Sequence, residues 1–218
     1  MISVTKVVGD DGVTRWRVQI PSTQEWSPFA DGVPNDLNSD LVSKLNPAQQ
    51  TQLMKAVELS LQQAGYVPGS GDPLLLGGFS LGGIAAGKLA ADPGFTSRFN
   101  VQAVVTGGSP LDDVYIPPNI KVVSLEHNTD PVANVGDLLA PHQPYPNRIV
   151  FDVPPPATVD KALSDAPAPL GHGAADYAAS AKKYISESTD PRMQDFRDST
   201  AEFFGSTETS TDYAVTRG

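Results

Sequence analysis

The segment GFSLG, residues 78–82, places one serine between two glycines in a G-x-S-x-G pattern. A serine held on a sharp turn from a strand into a helix can act as a nucleophile. The second residue before it and the second residue after it must then lack a Cβ atom. The pattern alone also fits a glycine-rich packing turn. Its context favours the nucleophile, because the apolar run PLLLGGF leads into it and the small-residue stretch LGGIAAGKLAAD follows. We therefore predict that Ser80 is a nucleophile, exposed above the carboxyl ends of the strands.

A serine nucleophile needs a base within hydrogen-bond reach, and histidine is the usual one. The chain contains three histidines: His127, His142 and His172. His127 ends a predicted strand and also fits a structural role, and His142 stands between prolines in APHQPYP, which is typical of an exposed loop. His172, in LGHGAADY, follows the last predicted strand, and its flanking glycines let the backbone approach a site. We expect His172 to be the base, with the other two as alternatives.

A carboxylate must orient the base and stabilise its protonated form. Asp130 is the best placed, because it lies in SLEHNTDPV just beyond a predicted strand, although an Asp-Pro step also works as plain turn chemistry. The alternatives are other aspartates close to predicted strands: Asp112, Asp113 and Asp152. Chain order favours Asp130, since Ser80, Asp130 and His172 follow the order Ser…Asp…His that is found in α/β-hydrolases.

Attack on an ester carbonyl forms an oxyanion, which needs two preset hydrogen-bond donors. The backbone amide of Leu81 is predicted to be one of them, because it follows the nucleophile. The other must come from a loop after an early strand, and VQIPSTQEW is placed for it. Thr23 in this segment offers both an amide and a hydroxyl, while a plain turn over PST is the alternative.

Strands and helices in alternation have to position these residues. Residues 3–8 and 13–20 flank GDDG and are rich in β-branched residues, which predicts an N-terminal β-hairpin. Further strands are predicted over 73–79, 101–107, 121–127 and 148–153. Helices are predicted over 37–45, from Pro47 (with Asn46 as N-cap) to a stop at Gly65, and over 81–92, 173–188 and 191–204. The pattern indicates an α/β fold: a mostly parallel central sheet with helices on both faces.

Composition narrows the class of protein. The 218 residues predict a single domain, with a polar tail over 205–218 that is either frayed or adds an edge strand at DYAVTR. A net charge of −10 argues against nucleic-acid binding and against a polybasic membrane anchor. The chain has no cysteine, which excludes a disulfide, a thiolate metal site and a cysteine nucleophile.

Neither a membrane span nor a metal site is expected. The chain has no run of about 18 apolar residues, and its first residues lack the basic start and apolar core of a signal peptide. These features predict a soluble protein, either cytoplasmic or the mature domain of an exported one. Three histidines without ligand spacing, in a chain without cysteine, predict no metal site, although His127 and Asp130 could form a weak pair; no cofactor is implied.

These motifs resemble the α/β-hydrolase superfamily and, more narrowly, a group of small actinobacterial esterases akin to cutinase-like, PE-PPE and class 3 lipase domains. The likeness runs over most of residues 16–190 and rests on five segments: WRVQIPSTQEWSP, GGFSLGGIAAGKLAADP, VVTGGSP, VVSLEHNTDPV and GHGAADY. It implies Ser80 as nucleophile, Asp130 as acid, His172 as base, and Leu81 with Thr23 as oxyanion donors. The chain departs from its relatives at two positions: Ser22, where they usually have glycine, and Phe79, where histidine or tyrosine is commoner.

The function implied is hydrolysis of a small-molecule or lipid carboxylic ester through an acyl-enzyme, without a cofactor. An acyltransferase or thioesterase would use the same triad, and a catalytically idle binding domain could keep the same fold. Little sequence is available for a helical cap between strands near 106–121. We therefore expect loops 108–119, 128–147 and 154–171 to shape the pockets, with the last as a mobile flap.

Overall fold

The computed structural model describes residues 1–22, 47–130, 132–133, 146–154, 172–205 and 207–214. Its strands are β1 (Ile2–Val8), β2 (Thr14–Ile20), β3 (Pro73–Phe79), β4 (Asn100–Gly107), β5 (Lys121–His127), β6 (Arg148–Val153) and β7 (Thr207–Tyr213). Its helices are α1 (Pro47–Ala64), α2 (Leu81–Ala91), α3 (Pro93–Thr96), α4 (Ala174–Glu187) and α5 (Pro191–Thr200), followed by a 3₁₀ turn at Ala201–Phe204. Several predictions fall outside the described residues: the helix over 37–45, Asn46 as N-cap, Thr23, His142, and most of the loops 128–147 and 154–171.

The strands form one sheet in the order β6-β5-β4-β3-β2-β1-β7. Strands β2 to β6 run parallel, whereas β1 is antiparallel to both of its neighbours. The predicted mostly parallel sheet and its N-terminal hairpin are thus confirmed. Because neighbouring parallel strands end at the same edge, residues that follow β3, β4 and β5 are brought together there.

Helices pack on both faces of the sheet. The side chains of successive strand residues point alternately to one face and to the other. Leu74 and Leu76 of β3 belong to the larger apolar cluster, which contains residues of α1 and α2. Leu75 belongs to the other cluster, together with Met193 and Phe196 of α5. Burial on both faces explains why β3 reads as a continuous apolar run instead of an alternating one.

Helix α1 begins at the predicted proline and ends before Gly65, which has φ of 103°. Glycine reaches this left-handed conformation without the steric cost that a Cβ atom adds, and it is the common residue just past a helix end. Helix α2 ends before Pro93, as the sequence predicts. None of the helices in the described part of the chain is both long and apolar enough to span a membrane.

The polar tail forms an edge strand, which begins earlier than the predicted DYAVTR segment. Strand β7 pairs with the whole of β1, from Ile2 opposite Tyr213 to Val8 opposite Thr207. Most of its residues are exposed, so the strand has no apolar alternation that sequence patterning could detect. Polar cross-strand contacts hold it instead, including an ion pair of 2.7 Å between Arg17 and Glu208.

Residues 108–120 connect β4 to β5 without a helix, and buried polar groups hold this loop. Arg148, the first residue of β6, forms ion pairs with Asp112 of the loop at 3.0 Å and with Glu126 of β5 at 2.8 Å. Its Nε donates to Ser124 Oγ at 3.1 Å. The neighbouring Asn147 side chain donates to backbone carbonyls of the loop, at 2.8 Å to that of Ile120.

Candidate active site

Ser80 lies on the turn between β3 and α2 with φ of 55° and ψ of −123°. Within the described part of the chain it is the only residue other than glycine with positive φ. Both glycines of the motif are required, because backbone atoms of other residues lie too close to leave room for a Cβ atom. A Cβ atom on Gly78 would lie 2.3 Å from the carbonyl oxygen of Gly82, and one on Gly82 would lie 2.2 Å from that of Ile20. These contacts explain why the sharp strand-to-helix turn around Ser80 needs glycine at both positions.

Hydrogen bonds from three directions hold the strained turn. The amide of Ser80 donates to the carbonyl of Gly107 at the end of β4, at 2.9 Å. The carbonyl of Ser80 accepts from the amide of Ile84 at 3.1 Å and from the hydroxyl of Ser109 at 2.9 Å. A residue with this backbone conformation persists only when its surroundings determine it, and such residues cluster at active sites.

The three residues predicted as a triad lie in one hydrogen-bonded chain. His172 Nε2 is 3.0 Å from Ser80 Oγ, and His172 Nδ1 is 2.7 Å from Asp130 Oδ2. All three residues are buried, with relative exposures of 4% for Ser80, 0% for Asp130 and 5% for His172. Asp130 follows β5 and His172 precedes α4, so two separate loops bring them to the same edge of the sheet.

Asp130 is surrounded by hydrogen-bond donors. Its Oδ1 accepts from the backbone amide of Val132 at 2.8 Å, and its Oδ2 accepts from the hydroxyl of Tyr177 at 2.7 Å as well as from His172. Because an ionised carboxylate only accepts hydrogen bonds, the proton of the neutral imidazole belongs on Nδ1 of His172. The unprotonated Nε2 then faces the hydroxyl of Ser80, as a general base requires.

Sequence reasoning missed Tyr177. This residue of α4 is 4% exposed, and burial raises the pKa of its hydroxyl well above the ordinary value; the charge of Asp130 and its hydrogen bond raise it further. The hydroxyl consequently remains a protonated donor at neutral pH. Tyr177 closes the quoted GHGAADY segment, but an aromatic residue in a helix carries no signal of such a contact by itself.

The alternatives named from the sequence have other surroundings. His127 Nε2 lies 2.8 Å from Ser180 Oγ, and its ring stacks on that of Tyr177. Asp112 is paired with Arg148, whereas two further aspartates are exposed: Asp113 and Asp152. His142 is outside the described residues.

Helix α2 begins directly after the candidate nucleophile, so its N-terminus lies beside Ser80. Leu81 is the first residue of this helix, and the first four amides of a helix have no acceptor within it. The helix dipole also favours negative charge at this end. The second predicted donor, Thr23, lies outside the described residues, but the strand end that leads to it touches the turn: Gly82 would clash with both Ile20 and Pro21 if it carried a Cβ atom.

The predicted exposure of the serine is wrong. Ser80 keeps only 4% of its accessible surface. The imidazole of His172 is within hydrogen-bond distance of the Ser80 hydroxyl. The ring of Phe79 packs against that imidazole, with centroids 4.9 Å apart. Exposure depends on the tertiary packing around the turn, which the local motif does not determine.

The described residues contain no candidate metal site. Among them, no group of three or more histidine, aspartate or glutamate side chains is arranged to hold a metal ion.

Models of known protein families, curated proteins and solved structures give no match to this chain. Any function therefore has to be inferred from the geometry of the site itself.

Proposed function

We propose that this protein has an α/β-hydrolase fold and cleaves a carboxylic ester through an acyl-enzyme. The observation that carries the proposal is the unbroken hydrogen-bonded chain from Ser80 through His172 to Asp130, which begins on a strained turn between a strand and a helix. A packing turn needs its glycines, but it needs neither the imidazole on the serine hydroxyl nor the carboxylate behind that imidazole. Nucleophilic catalysis needs all three.

The reaction follows from the positions of these groups. Ser80 Oγ attacks the carbonyl carbon of the ester while His172 Nε2 takes the hydroxyl proton, and Asp130 stabilises the imidazolium that results. The oxyanion of the tetrahedral intermediate is stabilised by the amide of Leu81, with Thr23 proposed as the second donor. His172 then gives its proton to the leaving alcohol, and the acyl group stays on Ser80.

Deacylation uses the same groups in reverse roles. A water molecule takes the place of the leaving alcohol, His172 removes its proton, and the resulting hydroxide attacks the acyl-enzyme. Collapse of the second tetrahedral intermediate releases the carboxylic acid and returns the proton to Ser80 Oγ. The proposed substrates are esters of small molecules or lipids, and no cofactor takes part in these steps.

A fluorophosphonate probe tests the proposal directly, because it reacts covalently with an activated serine. We expect labelling and turnover of nitrophenyl esters by the wild-type protein, with both lost in Ser80→Ala. Ser60→Ala is the matched control, since Ser60 is similarly buried but donates to the carbonyl of Ala56 within α1. This control should keep both activities.

The result that would overturn the proposal is a folded wild-type protein that neither reacts with the probe nor turns over esters of any chain length. That result would favour a catalytically idle binding domain. A protein that labels at Ser80 but passes its acyl group mainly to an added alcohol would be an acyltransferase instead. The chain-length profile of turnover then identifies the acyl group that the site prefers.

A further inference from the structure

Tyr177 contacts the carboxylate of the proposed triad through its hydroxyl. Its hydroxyl lies 2.7 Å from Asp130 Oδ2, the same oxygen that accepts from His172 Nδ1. The hydroxyl also lies 2.9 Å from the backbone nitrogen of His127. These contacts join α4 to the end of β5 at the point where Asp130 leaves the strand.

The direction of the Tyr177 proton follows from its two partners. The amide of His127 can only donate, so the oxygen of Tyr177 must accept from it. The hydroxyl proton is then directed to Asp130, whose ionised carboxylate can only accept. The hydrogen bonds thus leave Tyr177 one arrangement, in which it donates to the acid of the triad.

Packing holds the ring of Tyr177 in place. One face stacks on the ring of His127, with centroids 3.8 Å apart and an interplanar angle of 15°. His127 is fixed in turn by Ser180, one turn further along α4, whose hydroxyl is 2.8 Å from Nε2. The ring also lies against the backbone of Gly107 and Gly108, where a Cβ atom on either glycine would come within 3.0 Å of it.

We propose that Tyr177 is a positioning residue that holds Asp130 with Oδ2 toward His172 and shares the negative charge of that oxygen. This inference rests on the proposed function, because it assigns Tyr177 a role in tuning the base. Since both donors bind the same oxygen, the tyrosine weakens the attraction between Asp130 and protonated His172. Three other titratable groups surround Tyr177 and enter the same balance: His127, Glu126 and His172 itself.

Tyr177→Phe removes the hydroxyl and keeps the ring. We expect kcat for ester hydrolysis to fall about tenfold with KM little changed, as for the loss of one hydrogen bond to a charged group. We also expect the acid limb of the kcat/KM profile to move to higher pH, because the unshared charge on Asp130 stabilises protonated His172. A merely structural role would not move this limb.

Tyr66→Phe is a closely matched control. The hydroxyl of Tyr66 also accepts from a backbone amide, that of Asn100 at 3.0 Å, and donates to an oxygen, the carbonyl of Asp72 at 2.7 Å. Tyr66 is equally buried, at 2% exposure, but belongs to the cluster on the α1 and α2 face. We expect this variant to lose comparable thermal stability and to keep the wild-type kcat and pH profile.

Incorporation of 3-fluorotyrosine at position 177 keeps the hydroxyl and provides a test even if Tyr177→Phe does not fold. A fluorinated phenol is the stronger donor, so the acid limb should move to lower pH, opposite to the phenylalanine variant. An unchanged kcat and pH profile in the folded variants would overturn the inference while leaving the proposed function standing. A wild-type protein without Ser80-dependent activity would overturn both.

Discussion

Gly82 and Ile20 meet at the turn that carries the candidate nucleophile: a Cβ atom on Gly82 would lie 2.2 Å from the carbonyl oxygen of Ile20. This contact links the end of β2, which leads into the proposed oxyanion loop, to the first turn of α2. The geometry of the candidate nucleophile and that of the proposed oxyanion loop are therefore coupled through one glycine.

Gly82→Ala is expected to push the end of β2 away from the first turn of α2. Because the added methyl group meets backbone atoms, which cannot move aside as a side-chain end can, the variant should lose roughly 1–3 kcal/mol of unfolding free energy. Its ester turnover should fall further than that loss of stability alone explains. Gly94→Ala serves as the control in denaturant unfolding and kinetics, since a Cβ atom there meets only the side chain of Asp92 at 3.2 Å. Equal behaviour of the two variants would contradict the coupling.

Gly108→Ala tests the packing around the triad itself. Gly108 has φ of 58°, and its added Cβ atom would lie 3.0 to 3.1 Å from three groups of the site: the rings of Tyr177 and His172 and the carboxylate of Asp130. We expect the methyl group to displace these groups and to reduce kcat by at least tenfold. Gly12→Ala is the control. Gly12 also has positive φ, at 74°, so alanine is strained there too, but nothing lies within 4 Å of the added Cβ atom. If both variants kept full activity, the site would be more tolerant of displacement than its contacts indicate.

Sequence patterns predict the frame of this molecule because its strands leave local signals. Strand β3 is buried on both faces and therefore reads as a continuous apolar run, and the glycines around Ser80 are required by backbone contacts that few other residues permit. The order of Ser80, Asp130 and His172 then places each residue after a different strand or before α4. Parallel strands bring such positions to one edge, which is why the chain order predicts that the three residues lie together.

The remaining features depend on tertiary packing. The contact between Tyr177 and Asp130 depends on how α4 lies against β5, and the burial of Ser80 depends on tertiary neighbours such as His172. Strand β7 has no apolar face because it pairs at an exposed edge. In each case the residue type is ordinary and only its three-dimensional neighbour is informative.

The ion pair between Asp11 and Arg15 in the β1–β2 turn predicts a pH-dependent contribution to stability. Hydrogen bonds from Arg15 and from the amide of Val13 lower the pKa of Asp11 from 3.8 to about 2. Since the pKa is lower in the folded state, the contribution is present above pH 3.8 and is lost as the pH falls through about 2. Asp11→Asn should therefore be slightly less stable than the wild type at pH 6, and the difference should shrink as the pH falls from 3.8 toward 2, as measured by urea unfolding. The exposed position makes this effect small, and a difference that stayed constant with pH would contradict it.

Arg148→Met should have the largest effect on stability among these variants. The guanidinium pairs with the buried carboxylates of Asp112 and Glu126, and its removal breaks both of these ion pairs. Breaking a buried ion pair in this way costs about 3–5 kcal/mol of unfolding free energy. Arg17→Met removes an ion pair that is partly exposed at the sheet edge and should cost no more than about 1 kcal/mol.

Adding Asp112→Asn and Glu126→Gln to Arg148→Met should recover part of the loss, because the neutral amides are cheaper to bury. If the triple variant were no more stable than Arg148→Met alone in denaturant unfolding, the loss would come from packing around the arginine stem and not from the broken ion pairs.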